Sequence, residues 1–259
     1  LVVNPHDAAS FVRILNRFGR GIGPGTIRKI SHESYRRAGI RITDYLDEDA
    51  RRTGDPFAVL VEAFEAEDIV VFDVEATGVD PTRDEIIQIA GLRLGRDGKA
   101  KAEFKRLLKA RRSVGDSYKV HKISDALLQR DGQEPEEVLR AFCAFAAGSV
   151  IVGHNVTYDL SILGSELARL GLPPLAYRRY YDTLDIFRRF YPNLPNHKLE
   201  YLGEFCHVSH RSTHDAMDDV CATAEILVYA IEKDIRPHAR ERKEFMEKWQ
   251  DVFNELAGH

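Results

Sequence analysis

The sequence predicts an α/β protein, a mixed β-sheet layered against helices, with a smaller all-helical part beside it. Three observations carry this. The composition changes at Asp68, where a helical pattern gives way to the β-branched and aromatic run Ile69–Phe72. Three strand-like segments follow in close succession before helix, strand and helix alternate. A hydrophobic share of 44% over 259 residues suffices for a sizeable core and excludes wholesale disorder.

Residues 1–66 read as helical. Ala8 to Arg17 places Phe11, Ile14 and Leu15 on one stripe, and the glycine-rich cluster Gly19 to Thr26 breaks that helix. A basic helix passes through Ile27 and Ile30, a short one covers Ile42–Leu46, and another runs Pro56–Ala66 with Asp55 as its cap. Strands are expected at Ile69–Phe72, Glu85–Leu94 and Phe104–Leu108. Helices follow at Ser124–Arg130 and Pro135–Ala146, then a short apolar strand at Val150–Val152. Tyr158–Leu170, Leu184–Phe190, Lys198–Cys206 and Asp215–Lys233 carry helical patterns. The tail, Pro237–Leu256, is one charged helix with Phe245, Trp249 and Phe253 repeating every four residues.

Several function classes drop out. No apolar run reaches the roughly 18–20 residues of a membrane span, and the first residues lack a secretory pattern. Cys143, Cys206 and Cys221 show no CxxC spacing and form no disulfide framework, which fits small buried side chains in a reducing cytoplasm. The chain begins with Leu1, which suggests a segment of something longer. Net charge is −4, so nucleic acid is not gripped by bulk charge. The distribution is uneven, however. From Phe11 to Arg41 eight basic residues face one acid, Glu33; such a run is either a solvated face or a binding surface.

The chemistry lies in three acid clusters. Asp73 and Glu75 sit two apart at the end of an apolar strand, so both point to one face. Like charges there repel and lose solvation, a penalty that an oxygen-seeking cation such as Mg2+ or Mn2+ removes; alone, the pair could equally mark a solvated edge. Asp159 stands in the first turn of the helix after His154-Asn155, where the dipole favours an acid with or without a further role. Of the acids after His214, helical phase turns Asp218 to solvent with Glu225 and Asp219 inward with Thr223 and Ile226. Asp215 reads as a first-turn acid. Four inward acids and a histidine fit a two-metal hydrolytic site, with His214 able to accept a proton from water.

These motifs resemble the DnaQ-like (DEDD) 3′–5′ exonuclease family. Asp73-x-Glu75 with Thr77-Gly78 matches its first motif, His154-Asn155-x3-Asp159 the second, and His214-x4-Asp219 the third in its histidine branch. The resemblance covers about residues 67–233. It implies a ribonuclease H-like fold with a mixed five-stranded sheet and two divalent cations. Asp73 would bridge both ions, Glu75 and Asp219 hold one, Asp159 support the other, and His214 act as base. It also implies that Ala76, Thr77 and Gly78 seat the terminal nucleotide, with His121 and Asn155 near substrate. His121 could as well cap a helix, and Tyr158 could stack a base or join the core. The implied substrate is a DNA 3′ end; nothing in the motifs reads a 2′-OH, so RNA stays open, as does an inactive binding module.

The flank resembles the accessory 2B subdomain of UvrD/Rep-type superfamily 1 helicases, through Phe11–Asn16, Arg20–Thr26 and the tail from Arg236. Its glycine turn exposes backbone N–H groups suited to phosphate, with Arg20, Gly21, Gly23, Gly25, Thr26, Arg28 and Lys29 as candidate contacts. No Walker A sequence occurs, so helicase motor domains would lie elsewhere in a parent chain. Residues 1–66 and 234–259 are therefore expected to pack together around an inserted exonuclease; the competing arrangement is a linear fusion with a free tail helix.

Overall fold

The computed structural model describes residues 12, 13, 25, 28, 29, 32–210 and 212–257. They divide into two compact units. The larger comprises Ala63–Asp185 and Leu194–Tyr229, and the smaller takes the described residues of Leu1–Glu62, Ile186–Asn193 and Ala230–His259.

The smaller unit begins with α1 (Glu33–Arg37), a 3₁₀ turn over Ile42–Leu46 and α2 (Glu48–Thr53). The Asp47 carboxylate accepts the Ala50 N–H at 3.1 Å to start α2, and Gly54, at φ +75°, ends it. Next comes α3 (Ala58–Glu65), two residues later than expected. Asp55 accepts the Phe57 N–H at 2.8 Å, so Pro56 and Phe57 form the entering turn.

The larger unit is built on one five-stranded sheet. Its strands are β1 (Ile69–Ala76), β2 (Ile86–Leu94), β3 (Ala100–Leu107), β4 (Val150–Gly153) and β5 (Arg179–Asp182), in the order β3-β2-β1-β4-β5. β1–β2 and β2–β3 are antiparallel; β1–β4 and β4–β5 are parallel. This is the mixed α/β sheet with flanking helices that the resemblance implied. β1 runs through both acids instead of stopping at Phe72, so its alternation decides the site. Phe72, Val74 and Ala76 enter a core with Val138, Leu139 and Phe142 of one helix and Ile162 and Leu163 of another, leaving Asp73 and Glu75 to the opposite face.

The helices between and after the strands are α4 (Tyr118–His121), α5 (Asp125–Asp131), α6 (Pro135–Ala146), α7 (Val156–Arg169), α8 (Thr183–Phe190), α9 (Leu199–Cys206) and α10 (Ala216–Ala230). α10 is shorter than its sequence pattern, because Ile231–Ile235 widens into a π turn. The tail forms α11 (Ala239–Ala257), and here the smaller unit closes. Phe245 and Met246 are buried with Ala38, Ile40, Ile42, Tyr45 and Ala50, and Trp249 packs at the edge. The Tyr45 hydroxyl reaches the carbonyls of Phe245 (3.1 Å) and Met246 (3.2 Å). Among the described residues, no helix is long and apolar enough to cross a membrane.

Candidate active site

β1 and the first turn of α10 bring three carboxylates together. Ligand oxygens of Asp73, Glu75 and Asp219 all lie within 4.8 Å of one another. Asp159, in the first turn of α7, stands just outside this trio; its Oδ1 accepts the N–H of Val74, the residue between the two strand acids, at 3.2 Å. Two further bonds set the head of α10 on the sheet. Gln88, opposite Glu75 in the ladder, accepts the Ala216 N–H at 2.9 Å, and its amide donates to Asp215 at 3.3 Å.

The electrostatics are one-sided. Burial holds Asp73 well above the ordinary carboxylate range, and Asp159, Glu75, Asp219 and Asp215 add to it. Glu75 is pushed up to about 8, by burial first and then by Asp219, Asp159 and Asp215. Asp159 rises to about 7 through burial, despite the Val74 N–H that favours its charge. Burial also raises Asp219, against the Thr213 N–H it accepts. Asp215 differs. Burial would raise it, but Lys105 at 2.7–2.8 Å and the Met217 N–H hold it low. Asp218 accepts the Thr213 hydroxyl. The four clustered acids thus form an all-oxygen donor set with excess negative charge, which fits a hard divalent cation.

The other predicted residues have separate settings. His214, at φ +59°, lies at the exposed rim with Nε2 3.4 Å from Glu200 of α9. Asn155 adopts φ +63° and donates its N–H to Asp182 at the end of β5. Preceding it, His154 is fixed at both nitrogens, by the Thr183 hydroxyl and the His197 carbonyl, each at 2.9 Å. Tyr158 donates its hydroxyl to the Gly78 carbonyl at 2.7 Å, so it braces the turn after the first motif. In that turn the Thr77 hydroxyl meets Asp84 at 3.0 Å, and a Cβ on Gly78 would collide with the same carboxylate. His121 is buried at the end of α4; its Nδ1 accepts the Ile123 N–H and its Nε2 meets Ser117, while the following helix is capped by Ser124, which accepts the Leu127 N–H, and not by His121. Gly25, Arg28 and Lys29 are exposed. Arg20, Gly21, Gly23 and Thr26 lie outside the described residues, as does the Phe253 side chain.

Sequence reasoning missed Gln88, Asp182 and Glu200. Asp182 carried a usable signal, since it ends the aromatic run Tyr180-Tyr181 just as Asp73 ends Val71-Phe72. Gln88 and Glu200 had none, because their partners are distant in the chain.

A family model described as an exonuclease (RNase T type) matches residues 70–227, more than half of the chain. The DNA polymerase III PolC-type of Caldanaerobacter subterraneus subsp. tengcongensis is 34% identical over 166 residues, 64% of this chain and 12% of that protein. Its counterpart from Lacticaseibacillus paracasei is 29% identical over 208 residues, 79% of this chain and 14% of the relative. The chain therefore spans only about an eighth of the length of these polymerases. Among solved structures, E. coli exonuclease I in complex with a dA16 oligonucleotide superposes with a TM-score of 0.60 at 21% identity, covering 66% of this chain and 42% of that one. Exonuclease X in complex with 5′ overhanging duplex DNA gives 0.52 at 22%, covering 63% and 91%. At these identities the structural likeness is one of fold, while the matched family model spans all four carboxylates: the chain belongs to the DnaQ-like exonuclease family.

Proposed function

We propose that this chain is a 3′–5′ exodeoxyribonuclease that hydrolyses DNA from its 3′ end and releases nucleoside 5′-monophosphates. The observation that carries the reading is the convergence of four acids, raised by burial and mutual repulsion, at the end of β1. Asp73, Glu75, Asp159 and Asp219 would hold two divalent cations, Mg2+ or Mn2+. When bound, such ions place positive charge against the phosphate oxygens and lower the pKa of water. His214 accepts the proton of the attacking water, for which its ring must turn from Glu200 toward the acids. Ala76, at the end of β1, and Thr77 and Gly78, in the turn braced by Tyr158, seat the terminal nucleotide, with Asn155 and His121 near the substrate. DNA is favoured over RNA because the matched relatives are DNA polymerases and the exonuclease I structure holds a deoxyoligonucleotide.

The flanks belong to the same proposal. Residues 1–66 and 234–259 form a helicase 2B-like helical body into which the exonuclease at 67–233 is inserted. Arg20, Gly21, Gly23, Gly25, Thr26, Arg28 and Lys29 would contact DNA phosphate there, and motor domains of a parent chain would deliver the 3′ strand. The decisive experiment incubates a 5′-labelled oligonucleotide with the protein and Mn2+ or Mg2+, beside Asp73→Ala. A ladder shortening from the 3′ end, absent in the variant, is expected. Equal digestion by both proteins ends the assignment, immediate release of the label reverses the polarity, and preferential loss of a matched RNA changes the substrate.

A further inference from the structure

The segment between β3 and α5 carries Arg111 and Arg112 side by side, both exposed. The carboxylates next to them do not neutralise their guanidinium groups. Glu85 accepts the backbone N–H groups of Arg111 (2.7 Å) and Arg112 (3.1 Å). Asp125 accepts the Ser113 hydroxyl (2.5 Å) and the Val114 N–H (2.9 Å). Both acids therefore hold the main chain of the loop. No side chain among the described residues pairs with the Arg111 guanidinium, and that of Arg112 donates to the Arg83 carbonyl at 2.8 Å. Arg83 adds a third exposed guanidinium, whose contact with Asp80 is a loose 3.7 Å surface pair.

The main chain of the same residue, Glu85, ties the loop to the turn after β1. Glu85 and Thr77 exchange two hydrogen bonds, the Thr77 N–H to the Glu85 carbonyl and the Glu85 N–H to the Thr77 hydroxyl, both at 3.0 Å. One residue thus separates the arginine loop from the Thr77-Gly78 turn. Val114 and Ile123 anchor its far side in a small core with Ile87 and Leu128. A loop held this way presents its guanidinium groups without an ordering cost for the backbone.

We propose that Arg111 and Arg112 form a phosphate-binding strip for the single-stranded substrate, gripping the backbone just behind the terminal nucleotide, and that Glu85 positions them. The proposal rests on the exonuclease reading of the neighbouring site. Guanidinium groups suit this role because each can take two phosphate oxygens at once. Their grip is independent of base sequence and weakens with salt.

The test compares wild type, Arg111→Gln/Arg112→Gln and Glu85→Ala, all with the full chain. Binding of a fluorescent twelve-nucleotide oligo-dT is measured by anisotropy across a salt series without divalent metal. Hydrolysis of that oligonucleotide and of the p-nitrophenyl ester of thymidine 5′-monophosphate is measured with Mn2+. For the double variant, binding weakens about tenfold at low salt and the slope of log K against log salt falls by about 1.4, two phosphates at roughly 0.7 each. Hydrolysis of the small ester stays at the wild-type rate. Glu85→Ala separates positioning from bulk charge. Removing an acid would tighten binding if only charge mattered, whereas loss of the brace weakens it. An unchanged salt slope in the double variant overturns the strip, and tighter binding by Glu85→Ala overturns its positioning. Absence of hydrolysis in the wild type counts against the nuclease reading instead, and the anisotropy series still decides the strip.

Discussion

The molecule buries charge in two ways. In the smaller unit Arg242 is fully enclosed, yet it is answered on every side. Its Nε donates to Asp55 at 2.7 Å, its terminal nitrogens reach the carbonyls of Ala38 and Ile235, and its guanidinium lies 5.1 Å over the Phe57 ring. In the larger unit four acids share one end of β1, and the charges acting most on Asp73 are other carboxylates. The nearby lysine, Lys105, is held by Asp215. A charge matched inside the fold is structural, whereas one left unmatched leaves its counter-charge to something bound.

Removing one charge from each place should break the symmetry between them. Asp73→Asn is expected to lower nuclease activity well beyond the roughly 10–100-fold typical of losing an outer partner of a metal ligand. The same change should raise the melting temperature in EDTA, because it relieves repulsion in the metal-free cluster. A fall in that melting temperature would mean that the acids stabilise the fold. Arg242→Met should do the reverse. It leaves Asp55 without its counter-charge and is expected to cost about 3–5 kcal/mol in urea unfolding of the smaller unit. Pairing it with Asp55→Ala should recover part of the loss; no recovery would mean that the arginine acts through packing alone.

Proton linkage sharpens the contrast. Glu75 at about 8 and Asp159 at about 7 lie above ordinary carboxylate values, so in the metal-free protein they are largely protonated at low pH. A raised folded-state pKa means stability that is present at low pH and lost as pH climbs through the folded value. The metal-free melting temperature should therefore decline between pH 6 and 9. Mn2+ binds the ionised acids and displaces their protons, so the gain in melting temperature on adding it should grow over that interval. A gain that stays flat with pH would show that the acids are already ionised without metal.

The two kinds of burial were not equally legible in the sequence. Asp73, Glu75 and Asp219 could be read because strand parity and helical phase dictate direction from neighbouring residues alone. The buried Arg242 could not, since its partner is Asp55, at the other end of the chain. Edge strands escaped for a different reason. β5 is only Arg179-Tyr180-Tyr181-Asp182, and the residue pattern shows four strands, the fifth entering with the family resemblance. The first half of β3 is exposed and charged, as an edge that resists further pairing should be, so hydrophobic periodicity misses it. Tyr158 takes the core alternative, packing at the edge of the main core, but its hydroxyl also reaches the Gly78 carbonyl, a backbone partner that no side-chain pattern reveals.

The smallest expected effect tests whether the acid cluster is assembled by uncharged tethers. Gln88 is buried, sits opposite Glu75, and takes the first N–H of α10, the helix that brings Asp219. Gln88→Leu keeps similar bulk but leaves that N–H without an acceptor, a loss of about 1–3 kcal/mol for a buried polar group. If the tether only stabilises the fold, urea unfolding shifts by this amount and the Mn2+ concentration for half-maximal activity stays put. If it also sets the distance between Asp219 and the strand acids, that concentration rises several-fold at unchanged pH. The second outcome is expected, because Gln88 sits beside Glu75 on the paired strand β2, holds the head of the helix that carries Asp219, and adds no charge of its own.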